Sequence, residues 1–259
     1  WNFYENNSDT SDVTGHGTVV TGVASASGNN QIGGSGICWG CEIMPIRIAS
    51  TSGQASGSAV ASALVWAADH GSRVANISYG NVTKVTAIIS AAQYFQSKNG
   101  VVTASAGNSA IFDSTADSPY FLLVSATDQG DVITSWSNTG NNVDLSAPGV
   151  QIYGTGRGGS YGWGSGTSFS APIVAGVAAL VISANPSLTG VQVQDILKLS
   201  ADDFGPIGWD AQYGWGRINA FKAVSLACTY PNPKANCGTT STSTLDTVPP
   251  STPQNLVVS

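Results

Sequence analysis

The stretch Gly164-Ser165-Gly166-Thr167-Ser168-Phe169-Ser170-Ala171-Pro172-Ile173-Val174-Ala175-Gly176-Val177-Ala178-Ala179-Leu180 decides how the rest of the chain is read. Small residues run up to one serine. An apolar, alanine-rich segment then begins and reads as a buried helix, with its proline confined to the first turns. Ser168 is thereby placed at a helix N-terminus, where free backbone N–H groups and the positive end of the helix dipole favour an anion forming on an attacked carbonyl. A lone serine there is also an ordinary N-cap, so its partners have to be found elsewhere in the chain.

Serine hydroxyl is a poor nucleophile at neutral pH and needs a base, for which histidine has the suitable pKa. The chain has two histidines. His70 falls at the C-terminal end of an expected helix and reads as structural. His16 stands between two glycines at the start of another, in Gly15-His16-Gly17-Thr18. Asn108, in Ala104-Ser105-Ala106-Gly107-Asn108-Ser109, lies at the end of an expected strand, where its amide can donate to an oxyanion or simply close a turn. The order His, Asn, Ser, with no histidine after Ser168, excludes an α/β-hydrolase, and Gly166-Thr167-Ser168-Phe169-Ser170 is not Gly-x-Ser-x-Gly.

These three stretches, in this order, resemble the motifs of the subtilisin-like serine proteases, over roughly Gly15 to Ala227. The resemblance implies a serine endopeptidase in which Ser168 is the nucleophile, His16 the general base and Asn108 an oxyanion donor. It also implies that Ser78, Tyr79 and Gly80, with Ser105, Ala106 and Gly107, line the substrate pocket. No acidic residue occurs in those two stretches, which points to apolar or aromatic side chains before the scissile bond. The family's aspartate motif, an apolar-Asp-[Ser/Thr]-Gly strand ahead of the histidine, is absent, and the carboxylates before His16 are Glu5, Asp9 and Asp12. Asp12 matches a loop aspartate of the family and is expected to organise its loop. The chain therefore reads as a fragment whose catalytic aspartate lies upstream and which by itself has little or no activity. The rival reading is a catalytically inactive, protein-binding domain on the same scaffold. Val19 replaces the family's usual second histidine and touches only local packing.

The expected fold is α/β and three-layered, a mostly parallel central sheet with helices on both faces. Strands are expected at 42–49, 74–78, 101–105, 121–126 and 132–136. Helices are expected from His16, over 58–70 and 83–98, through the serine segment, over 191–201 and up to Ala227. The peptidase domain is placed at 1–237, a Ser/Thr-rich linker at 238–248, and at 249–259 a segment resembling the opening of a fibronectin type III domain.

With 259 residues, 9% of them charged, and a net charge of -6, the chain suits one large core and no nucleic-acid partner. No apolar run is expected to cross a membrane, and a secreted, extracellular monomer acting on polypeptides fits the composition. Of four cysteines, Cys228 and Cys237 are expected to pair, while Cys38 and Cys41 form either a second pair or, less favourably, a metal-binding CxxC. No cofactor is required. The resemblance places a structural calcium, if any, in the loop Gly28 to Gly34. Asn76 and Asn81 begin Asn-x-Ser/Thr sequons, the first within an expected buried strand.

Overall fold

The computed structural model describes residues 1–230 and the backbone of 256–258. In chain order the elements are α1 (His16–Ser25), β1 (Ile43–Pro45), α2 (Gly57–Asp69), β2 (Val74–Ile77), α3 (Thr86–Ser97), β3 (Val101–Ser105), β4 (Phe112–Asp113), β5 (Leu122–Thr127), β6 (Thr139–Gly140), β7 (Leu145–Pro148), β8 (Ile152–Gly156), β9 (Ser160–Gly164), α4 (Thr167–Ala184), α5 (Gly190–Leu199), α6 (Ala220–Ala227) and β10 (Leu256–Val258). Six strands form one parallel sheet in the order β1-β10-β2-β3-β5-β7. Parallel strands need crossovers, and here helices supply most of them.

Period-two alternation along the strands feeds two cores. Val74, Val101, Leu122 and Val124 face one side, with residues of α1, α4, α5 and α6. Ala75, Ile77, Val102, Ala104 and Leu123 face the other, with α2 and α3. The expected three-layer arrangement is thus present, and its layers follow from strands buried on both faces.

Helix α4 is the core helix of the first layer. Its 18 residues have a mean hydropathy of 1.8, enough by length and composition to cross a bilayer, which corrects the expectation that no such run exists; 72% of that window is buried within this fold. Gly176 lets α4 approach α1 closely, since a Cβ there would lie 2.6 Å from Cβ of Ile37 and 3.0 Å from the carbonyl oxygen of Ala24.

Other boundaries shift for local reasons. The helix expected from residue 83 starts at Thr86, because Asn81 is left-handed (φ 61°) and Val85 is extended, leaving only a 3-10 turn at Val82–Lys84. The strand expected at 132–136 does not form. Asp131 takes φ 62° and Asp128 accepts the N–H groups of Gly130 and Val132, so this segment turns, and only Ile133 bridges to Thr127. The first fourteen residues are largely irregular, as expected, but anchored: Asn2 is fully buried, Phe3 donates to the Arg47 carbonyl, and Glu5 pairs with Arg47 at 3.1 Å.

Cys38 and Cys41 form a disulfide, which removes the metal-binding alternative for that pair. Cys228 is disulfide-bonded; its expected partner Cys237 lies outside the described residues, as do the linker at 238–248 and most of 249–259. The short strand β10 pairs on both sides, between β1 and β2.

Candidate active site

Helix α4 begins one residue before Ser168, and its N-cap is Gly166 (φ 155°). Ser168 is therefore not the cap, and Gly166, having no side chain, makes no capping bond of its own. The half-buried Ser168 sits in the first turn, where helical N–H groups are unpaired and the dipole is positive.

Asn108 reaches this turn from the end of β3. Its Oδ1 accepts from the Thr167 backbone N–H at 2.9 Å and from the Thr167 hydroxyl at 2.8 Å. The Thr167 hydroxyl oxygen in turn accepts from the Gly107 N–H at 3.1 Å. With Oδ1 occupied, the amide can present only its nitrogen outward, and Nδ2 lies 3.3 Å from where a Cβ on Gly166 would stand. A side chain on Gly166 would crowd the donor. Thr167, fully buried between the two, is a site residue that the sequence reading did not single out.

His16 opens α1, which packs beside α4 in the same core layer. Its ring stands at the edge of a cavity of about 930 Å³ whose walls include Asp12, Thr18, Ile46, Ser78, Tyr79 and Gly80. His16 is open to solvent on the cavity side; partial desolvation by the surrounding protein lowers its pKa below the usual histidine value, opposed by the charge of Asp12, which favours the neutral imidazole that a general base must be. Asp12 serves its own loop. Its carboxylate accepts from the N–H groups of Thr14, Gly15 and Thr18 and from the Thr18 hydroxyl, the last at 2.6 Å.

Among the described residues no carboxylate hydrogen-bonds the His16 ring, and none joins it to Ser168. The contacts of a catalytic base are often long before substrate binds and tighten in the complex. His70, by contrast, has a structural setting: it caps α2, its Nδ1 lies 2.7 Å from the Trp66 carbonyl oxygen, and it stacks on the Trp66 ring at 3.8 Å.

The two expected pocket edges are placed differently. Ser78, Tyr79 and Gly80 follow β2 and line the cavity with His16, whereas Ser105, Ala106 and Gly107 close β3 and do not line it. Tyr79 is held by its hydroxyl, which accepts from the Ala55 N–H at 3.0 Å. The sequon asparagine Asn76 is 1% exposed with its amide donating to Ser78, so it is closed to glycosylation in the folded chain.

The profile of the Subtilase family matches residues 1–216. This chain belongs to the subtilase family. It is 35% identical over 227 residues to a thermophilic serine proteinase of Bacillus sp. (strain AK1), covering 87% of this chain and 56% of that protein. It is likewise 35% identical over 228 residues to thermitase of Thermoactinomyces vulgaris, covering 86% of this chain and 80% of thermitase. Among solved structures, sphericase superposes with a TM-score of 0.76 at 27% identity, covering 84% of this chain and 83% of its own. A cold-adapted subtilisin-like serine proteinase superposes with a TM-score of 0.71 at 34% identity, covering 85% and 78%. The subtilase fold accounts for the parallel sheet and for the His16 and Ser168 helices starting at its carboxyl end.

The calcium expectation meets a weak donor set in this subtilase. Residues 28–34 offer neutral amides and backbone carbonyls but no carboxylate, and among the described residues no group of three or more His, Cys, Asp or Glu could hold a metal.

Proposed function

We propose that this subtilase is a serine endopeptidase. Ser168 Oγ attacks the scissile carbonyl as His16 takes its proton; the oxyanion is held by Asn108 Nδ2 and the Ser168 backbone N–H; His16 then protonates the leaving amine, and water releases the acyl group by the reverse sequence. The observation that carries the reading is the Thr167 clamp on Asn108, which turns the amide nitrogen outward over the turn that holds Ser168. Among the described residues no carboxylate fixes the histidine tautomer, and Asp12 is committed to its own loop.

Polypeptides are the substrates, with apolar or aromatic residues preferred before the scissile bond because Ser78–Gly80 and Ser105–Gly107 carry no charge. A secreted, monomeric protein suits this activity, and no membrane or nucleic acid takes part in it. That no carboxylate among the described residues hydrogen-bonds the His16 ring favours one second reading, a subtilase scaffold that binds proteins without cleaving them.

A fluorophosphonate distinguishes the two, because it phosphonylates only an activated serine and releases fluoride. The full-length protein is expected to be labelled, with the label lost in Ser168→Ala. A folded protein that takes no label establishes the binding domain.

A further inference from the structure

Pro172 lies four residues after Ser168 within α4. In a regular helix the N–H of that position donates to the carbonyl four residues back, and proline has none, so the helix leaves the Ser168 carbonyl without its own donor. The structure supplies one from another element. Ser78 Oγ, just beyond the end of β2, donates to the Ser168 carbonyl oxygen at 2.9 Å.

That hydroxyl is itself held. Asn76 Nδ2 donates to Ser78 Oγ at 2.9 Å, and the Thr103 hydroxyl on β3 donates to Asn76 Oδ1 at 3.0 Å. All three residues are buried, with exposures of 6% for Ser78, 1% for Asn76 and 0% for Thr103. A serine hydroxyl has one proton, and an amide donating to its oxygen leaves that proton for the Ser168 carbonyl. The chain of donors therefore runs in a single direction, from β3 through β2 to the nucleophile.

We infer that Ser78 is a positioning residue for Ser168. It replaces the helical hydrogen bond that Pro172 removes and, backed by Asn76 and Thr103, fixes the nucleophile's peptide unit to the rigid centre of the sheet. Ser78 thus acts on the reaction through its hydroxyl, although the residue also lines the cavity. The inference rests on the endopeptidase reading above.

The test is the rate of acylation of Ser168, measured as the pre-steady-state burst on a chromogenic peptide ester and as fluorophosphonate labelling, in the full-length protein. Loss of one neutral hydrogen bond that is tightest in the transition state is expected to slow both by roughly tenfold in Ser78→Ala, with KM within about twofold. Pro172→Ala restores a backbone donor to the same carbonyl, so the same Ser78→Ala change is expected to slow acylation by less than about threefold in that background. Thr103→Val, one step further away and nearly isosteric, is expected to act in the same direction and more weakly, and it serves if Ser78→Ala does not fold.

A rise in KM at unchanged acylation rate overturns the inference by making Ser78 a pocket wall. A lowered melting temperature with unchanged acylation, or an equal loss with and without Pro172, also overturns it. Wild type that takes no label at Ser168 refutes the endopeptidase reading instead, and this inference with it.

Discussion

Replacing Thr167 by valine removes one hydroxyl with almost no change of shape, and the structure says what that hydroxyl does. It donates to Asn108 Oδ1 at 2.8 Å and accepts from the Gly107 N–H at 3.1 Å, while the Thr167 backbone N–H keeps its own 2.9 Å bond to the same Oδ1. The half-buried Gly107 N–H loses its partner, which destabilises the fold by about 1 kcal/mol, the low end for an unsatisfied group. Asn108 keeps one of two anchors. A neutral hydrogen bond is worth about 0.5–1.5 kcal/mol, and about 1.4 kcal/mol is tenfold in rate, so turnover is expected to fall roughly 3- to 10-fold. Removing the oxyanion donor itself, Asn108→Ala, is expected to cost the about 10²–10³ in turnover known for the equivalent loss in the related subtilisin. Because both changes act through one amide, Asn108→Ala with Thr167→Val is expected to be no slower than Asn108→Ala alone. Steady-state kinetics on a peptide anilide, with thermal unfolding to confirm the fold, read all three variants. A Thr167→Val enzyme with unchanged turnover, or a double variant in which the losses multiply, refutes the argument that Thr167 works by orienting Asn108.

Other consequences concern packing and pH. Gly176→Ala gains about 1 kcal/mol of helix propensity but forces a Cβ to 2.6 Å from Ile37 Cβ, and overpacking costs about 1–3 kcal/mol, so a net loss of about 1 kcal/mol is expected as a lower melting temperature; a higher one contradicts the close α1–α4 contact. Hydrogen bonds from Lys222, and then from Arg217 and Asn219, hold the Asp202 carboxyl down to about 2. Burial pushes Asp113 up, but donors from Thr115, Lys84 and Asn142 outweigh it and bring it to about 2 as well. Both folded values lie below the unfolded 3.8, so this stability is present above about pH 4 and is lost as pH falls from there towards 2. Both side chains still reach solvent, with exposures of 18% for Asp113 and 20% for Asp202, so the acid limb of a melting-temperature profile is expected to flatten in high salt and in Asp202→Asn; an unchanged limb in both denies these carboxylates their part.

His16, Asn108 and Ser168 are legible as candidates because each lies at or close to the end of an element, within a short, glycine-marked motif that one sequence displays by itself. What connects them was not. Thr167 meets Asn108 across 59 residues and Ser78 meets Ser168 across 90, and such contacts follow from strand order rather than local pattern. One signal is available: Asn76 and Ser78 are two residues apart in the strand expected at 74–78, so two polar side chains on one face of an apolar run have to satisfy each other or something buried. The strand expected at 132–136 failed for the opposite reason. Its β-branched residues were counted, while the turn-forming Asp128 and Asp131 just ahead of them were not. Pro172, in the second turn of α4, reads in the sequence as a proline the helix tolerates, whereas its missing N–H is what opens the Ser168 carbonyl to Ser78.

Catalysis by this chain requires that Ser168 be acylated with His16 as its base. The most direct measurement is intact mass of the full-length protein quenched in acid during turnover of a slowly deacylating peptide ester, followed by peptide mapping. The prediction is a mass increase equal to the acyl group, located on Ser168, absent in Ser168→Ala and greatly slowed in His16→Ala. An acyl group on another residue, or one formed on Ser168 equally fast without His16, contradicts it.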